Sequence, residues 1–367
     1  MDLLRACAAW MVLVGHGVSF FNLAEPPFPV QNLGVVLLFL ISGYFTLYSI
    51  RRKTADASRP YSFRGFFIDR FARICIVYYP ALLLVVGIDL VSRQLLGDAY
   101  LFGDAFNAGT FLGNLLFLQD FPGFESFAPI TSFGSDRPLW ALGVEWWLYM
   151  LFGYCMLVLP KRSRQGRVRL LPLLLLLPLS ISPVFHIADG RANGITLTWF
   201  FGAAILLACG LRERRWGGFA CCLMLLAAAV SLYAAFRLAA DAGDVYFPAF
   251  TLLAGLFVFL LLAAGTGRGM HRRARAFGTA IRFFSGYSYS LFLIHYPVLV
   301  FFAGCGLPLP DGLRFAIALA TSNALAIPLS LLLERRSHAL AAWLHRRLAP
   351  AGKADTKDTG ERAGATL

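Results

Sequence analysis

The sequence predicts an all-α integral membrane protein, a bundle of about ten transmembrane helices with both termini in the cytoplasm. Three observations lead there. The chain is 58% hydrophobic and only 14% charged, too apolar for a soluble globule of 367 residues. Apolar runs long enough to cross a hydrocarbon core of ~30 Å recur along its length. With the N-terminus placed inside, 28 of the 33 Lys and Arg residues fall on the inner side, which fixes the orientation and requires an even number of spans. The net charge of +13 is therefore a property of short basic loops and does not call for a nucleic-acid partner.

The apolar runs give spans at 8–24, 31–50, 74–96, 138–159, 169–187, 194–211, 217–239, 247–265, 283–303 and 314–334. The inner segments between them are 51–73, 160–168, 212–216, 266–282 and 335–367, and the outer side keeps only Arg93, Arg137, Arg191, Arg237 and Arg314. Segment 97–137 lies outside and contains one apolar piece, Thr110 to Leu118, too short to cross and suited to a re-entrant or interfacial element. It reads either as a functional outer loop or as a cap over the bundle. Residues 1–336 form the transmembrane domain, 337–348 a basic amphipathic helix on the inner surface, and 349–367 a disordered cytoplasmic tail. The seven cysteines include no CxxC pair and mostly lie in apolar runs, so they read as small buried hydrophobes, with no metal expected.

Within this frame a few polar residues are out of place. Arg5 and His16 lie ~16 Å apart along the first helix but only ~20° apart around it, so they share a face. An ionisable residue such as His16 at mid-membrane depth is costly; it reads either as functional or as a packing histidine bonded to a neighbouring helix. Arg70 and Arg73, at the inner end of the third span, share a helical face, and their guanidinium forks suit phosphate groups or an interfacial anchor. Glu145 stands ~10 Å in from the outer surface, where a carboxyl must be protonated, paired or facing water. Trp140 and Tyr149 flank it, and Trp140 fits an interfacial belt. In the ninth span Ser288, Tyr289 and His295 suggest a polar seam, and Pro297 is expected to kink the helix. Ser42-Gly43 in the second span permits close helix contact.

Taken together, these blocks resemble the membrane-bound acyltransferase-3 family, whose members O-acylate sugars and other cell-surface or secreted acceptors. Arg5 and His16 match its Arg, ten residues, His motif, and Arg70 and Arg73 match its Arg-x-x-Arg. Gly34 to Tyr44 matches the family's Gly-Val-Asp-Leu-Phe-Phe-x-Leu-Ser-Gly-Phe signature, with Val36 in place of the aspartate. Trp140, Leu142, Val144, Glu145 and Tyr149 match its Trp-Ser-Leu-Ser-Val-Glu-Glu-Gln-Phe-Tyr block, from which Ala141, Gly143, Trp146 and Trp147 depart. Tyr287 to Pro297 matches its Ile-Ser-Tyr-Ser-Leu-Tyr-Leu-x-His-x-Pro block almost throughout.

The resemblance implies an O-acyltransferase of the cell inner (plasma) membrane. Its donor would be cytoplasmic acyl-coenzyme A, most often acetyl-coenzyme A, used as a co-substrate with no bound cofactor. Its acceptor would be a hydroxyl of a cell-surface glycan or similar molecule, and polysaccharide O-acetylation is the expected outcome. Arg70 and Arg73 would hold the donor phosphates, with Arg5 assisting. His16 would act as general base or carry the acyl group, and Glu145 would bind acceptor hydroxyls or share a proton on the outer side. A transporter or flippase of a lipid-linked or sugar substrate would use the same buried charges without acyl transfer.

Overall fold

Helix–helix packing around a small number of buried polar side chains organises this protein. In the computed structural model the described residues are 1–23, 30–56, 60–122, 130–160, 170–188, 193–210, 230, 233, 237, 253, 255–259 and 278–348, and no strand occurs among them. The helices are α1 (Asp2–Phe20), α2 (Val30–Thr54), α3 (Phe63–Leu96), α4 (Ala108–Leu115), α5 (Leu139–Leu157), α6 (Leu170–Ala188), α7 (Asn193–Gly210), α8 (Gly278–Gly286), α9 (Ser288–Gly304), α10 (Asp311–Leu332) and α11 (Ser337–Arg347). The expected spans 217–239 and 247–265 and the tail 349–367 lie largely or wholly outside the described residues.

Among the described residues, four helical stretches are long and apolar enough to cross a membrane: Asp2–Phe20, Val30–Thr54, Phe63–Ala99 and Asp311–Arg347. A fifth arises if α8 and α9, bent by 55° at their junction, count as one span. The sequence places the kink in this region at Pro297, whereas this break falls earlier, between Gly286 and Ser288. Side chains stabilise the break by bonding carbonyls beside it. Ser330 Oγ donates to the Gly286 carbonyl at 2.8 Å and Ser288 Oγ to the Ser285 carbonyl at 2.9 Å. The first helix also begins earlier than the apolar run suggests, so His16 stands about one turn from its far end rather than at its centre.

α1, α2, α3, α5, α7 and α9 contribute the fully buried side chains Leu13, Leu40, Tyr78, Leu82, Leu148, Trp199 and Leu293 to one core. Two glycines set a close crossing of α2 and α7. A Cβ on Gly43 would lie 1.9 Å from the Trp199 carbonyl oxygen, and one on Gly202 would lie 2.0 Å from that of Leu40. Only glycine lets α2 and α7 approach so closely.

The described residues of segment 97–137 are tied to the bundle. Asn107 caps α4 by accepting from the Thr110 N–H at 2.8 Å. The end of α4 is held by α3: Tyr78 and Tyr79 donate their hydroxyls to the carbonyls of Asn114 and Leu115 at 3.0 and 3.1 Å. Trp147 of α5 donates to the Phe117 carbonyl at 2.8 Å.

Candidate active site

A cavity of about 340 Å³ runs between α1, α2, α3, α5 and α9, and the turn Glu334–Arg336 and the start of α11 line its mouth.

Arginines line the mouth. Arg5 comes from α1, Arg70 and Arg73 from α3, and Arg335 from the turn after α10. Arg70 is 8% exposed and lies over the rings of Tyr149 at 4.8 Å and Phe66 at 5.3 Å, while Arg5 lies over Phe45 at 5.1 Å. Stacking on aromatic faces compensates a buried guanidinium for lost water and leaves its N–H fork free for an anion. Asp69 fixes the surrounding rim, accepting from Lys53 Nζ at 2.5 Å, Tyr61 OH at 2.7 Å and His345 Nε2 of α11 at 3.0 Å.

A directed hydrogen-bond chain crosses the middle. Tyr149 OH donates to Glu145 Oε1 at 2.6 Å, so its oxygen accepts from Ser42 Oγ at 2.8 Å; Ser42 in turn accepts from Trp199 Nε1 at 3.0 Å. The glycine crossing of α2 and α7 brings Trp199 within reach of Ser42. Across the cavity stand Ser288 and Tyr289, and Glu334, which accepts from Ser290 Oγ at 2.9 Å.

At the closed end the lining becomes apolar: Val35, Leu38 and Phe39 from α2, Ala141 and Leu142 from α5, and Phe292 from α9.

His16 and His295 lie just past this end and line no part of the cavity. His295 Nδ1 is 2.8 Å from the Phe292 carbonyl, and its Nε2 is 3.0 Å from His16 Nδ1. A carbonyl can only accept, so the proton of His295 sits on Nδ1 and its Nε2 accepts from His16 Nδ1–H. His16 Nε2 is then left with a free lone pair and has no hydrogen-bond partner among the described residues. The two rings stack with centroids 5.3 Å apart, and Tyr296 packs edge-on against His16 at 5.0 Å.

The structure thus gathers Arg5, Arg70, Arg73, Glu145, Tyr149, Ser288 and Tyr289 around one cavity and pairs His16 with His295 beyond it. Trp140 is half-buried and outside the lining. Glu145 shares the arginines' cavity instead of forming a separate outer site. Arg5 and His16, although on one face of α1, serve opposite ends of this arrangement. Sequence reasoning did not single out Glu334 or Phe292, and it read Ser42 only as part of a close helix contact. The carboxylate of Glu334, ending an apolar run just before two arginines, was the one visible signal.

The family model described as an acyltransferase domain, acyltransferase 3, matches residues 1–334. No curated protein and no solved structure matches the chain.

Proposed function

We propose that this chain, which belongs to the acyltransferase-3 family, is an integral-membrane O-acyltransferase that moves an acyl group, acetyl in the simplest case, from cytoplasmic acyl-coenzyme A to a hydroxyl of a cell-surface glycan or similar acceptor outside the cytoplasm. The observation that carries this reading is the graded lining of one cavity: cationic at the mouth, polar midway and apolar at the closed end, with a histidine pair just beyond. Coenzyme A has the same gradient, from phosphates through an amide-bearing arm to a thioester.

In this reading Arg70, Arg73 and Arg5 hold the phosphates through charge-assisted hydrogen bonds. Glu145, Tyr149, Ser42, Ser288 and Tyr289 offer partners to the amides and hydroxyl of the arm. The thioester reaches the apolar end, next to the histidines. His16 Nε2 takes the proton of the acceptor hydroxyl as its oxygen bonds to the acyl carbon; the C–S bond breaks, and the leaving thiolate receives that proton from the His16 imidazolium to give free coenzyme A. His295, locked by the Phe292 carbonyl, holds His16 in the required tautomer. The basic bias of the inner loops supports a mouth that faces the cytoplasm and puts the histidine end towards the outer surface, where the acceptor would enter.

The test is thiol release from acetyl-coenzyme A by purified protein in lipid nanodiscs, with acyl-modified acceptor followed by mass spectrometry. Protein-dependent thiol release is expected. A folded protein that releases no thiol from any acyl-coenzyme A would overturn the reading.

A further inference from the structure

Phe292 is the cavity-lining residue of α9 closest to His295. It is 7% exposed, its ring centroid is 5.9 Å from that of His295, and its carbonyl fixes the His295 proton. The side chain therefore borders the apolar end of the cavity on the side of His295. The rest of that end is built from Val35, Leu38, Phe39, Ala141 and Leu142, whose side chains offer no hydrogen bond.

We infer that Phe292 determines which acyl groups the protein accepts. Resting on the donor reading above, the inference adds a residue and a selection rule to it. With the phosphates anchored at the arginines, the acyl group lies against the Phe292 ring, and a chain longer than acetyl meets that ring end-on. An apolar pocket discriminates by about 10- to 200-fold per methylene. Shortening Phe292 opens the end towards His295 and relaxes that discrimination.

The experiment compares thiol release from acetyl-, butyryl- and hexanoyl-coenzyme A by the wild-type protein, Phe292→Ala and Phe292→Leu. The preference ratio is internal to each preparation and is insensitive to the folded fraction. Phe292→Leu keeps apolar bulk beside His295, so it reports even if Phe292→Ala does not fold. The wild type should favour acetyl, the butyryl-to-acetyl ratio should rise by about tenfold or more in Phe292→Ala, and Phe292→Leu should lie between. A ratio within about twofold of wild type in the folded variants would overturn the inference while leaving the donor reading intact. So would a wild-type protein that already turns over hexanoyl-coenzyme A as fast as acetyl-coenzyme A. A wild type that releases no thiol from any of the three donors overturns both.

Discussion

Arg70 and Arg73 share a helical face yet sit in different surroundings. Arg73 is exposed at the cavity mouth, whereas Arg70 is buried between Phe66 and Tyr149. Arg73→Ala should weaken acyl-coenzyme A binding by roughly 10- to 100-fold, matching about 1.5–3 kcal/mol per charge-assisted contact, and leave thermal melting unchanged. Arg70→Ala should weaken binding and also lower the melting temperature, because it removes two ring contacts from the core. Lysine should partly rescue position 73 and fail at position 70, since an ammonium neither stacks flat nor forks. Calorimetric titration alongside melting checks this, and equal behaviour at the two positions would contradict it. The arginines, Glu145 and the histidines were legible because a charged group in an apolar run is conspicuous. Phe292 was not, since one phenylalanine among 34 carries no signal until its neighbours are known. Ser42 gains its place in the polar chain only when α2 meets α7 at Gly43 and Gly202.

At the scale of elements, apolar length located α2, α3 and α10, and the short Thr110 to Leu118 run marked α4. The bend between α8 and α9 was hidden because hydropathy runs straight through it, and the carbonyls beside it are bonded partly by Ser330 of another helix. The segment leading into α5 holds a further consequence. Asp136 is fully buried, and neither carboxyl oxygen has a hydrogen-bond partner among the described residues. Burial first, and the charge of Asp89 second, push its carboxyl well above the usual carboxylate range. The folded state therefore holds a proton that the unfolded chain gives up near its ordinary value of 3.8. Stability should be greatest below that value and fall as pH rises through the raised folded one. Asp136→Asn, which copies the neutral carboxyl in shape, should flatten this decline in a series of melts against pH. Parallel curves for wild type and variant would show that Asp136 folds with its charge.

At the scale of the molecule, the order of the motif blocks carried the family assignment, while the cavity itself could not be read from the chain. Its walls come from residues as far apart as Arg5 and His338, and their meeting depends on helix crossings that no linear pattern encodes. Nor did the shared face of Arg5 and His16 reveal that one stands at the cationic mouth of the cavity and the other beyond its apolar end. We propose that acyl transfer takes place at that outer end, with His16 Nε2 as the base. The most direct test is acyl transfer per folded molecule in His16→Asn. Asparagine can still donate an N–H to His295 Nε2, so it preserves the pair's contact while supplying no basic nitrogen. Transfer should fall by about 10²–10⁴-fold while acyl-coenzyme A binding and thermal melting stay at wild-type levels. A well-folded His16→Asn protein that transfers acyl groups at the wild-type rate would contradict the account.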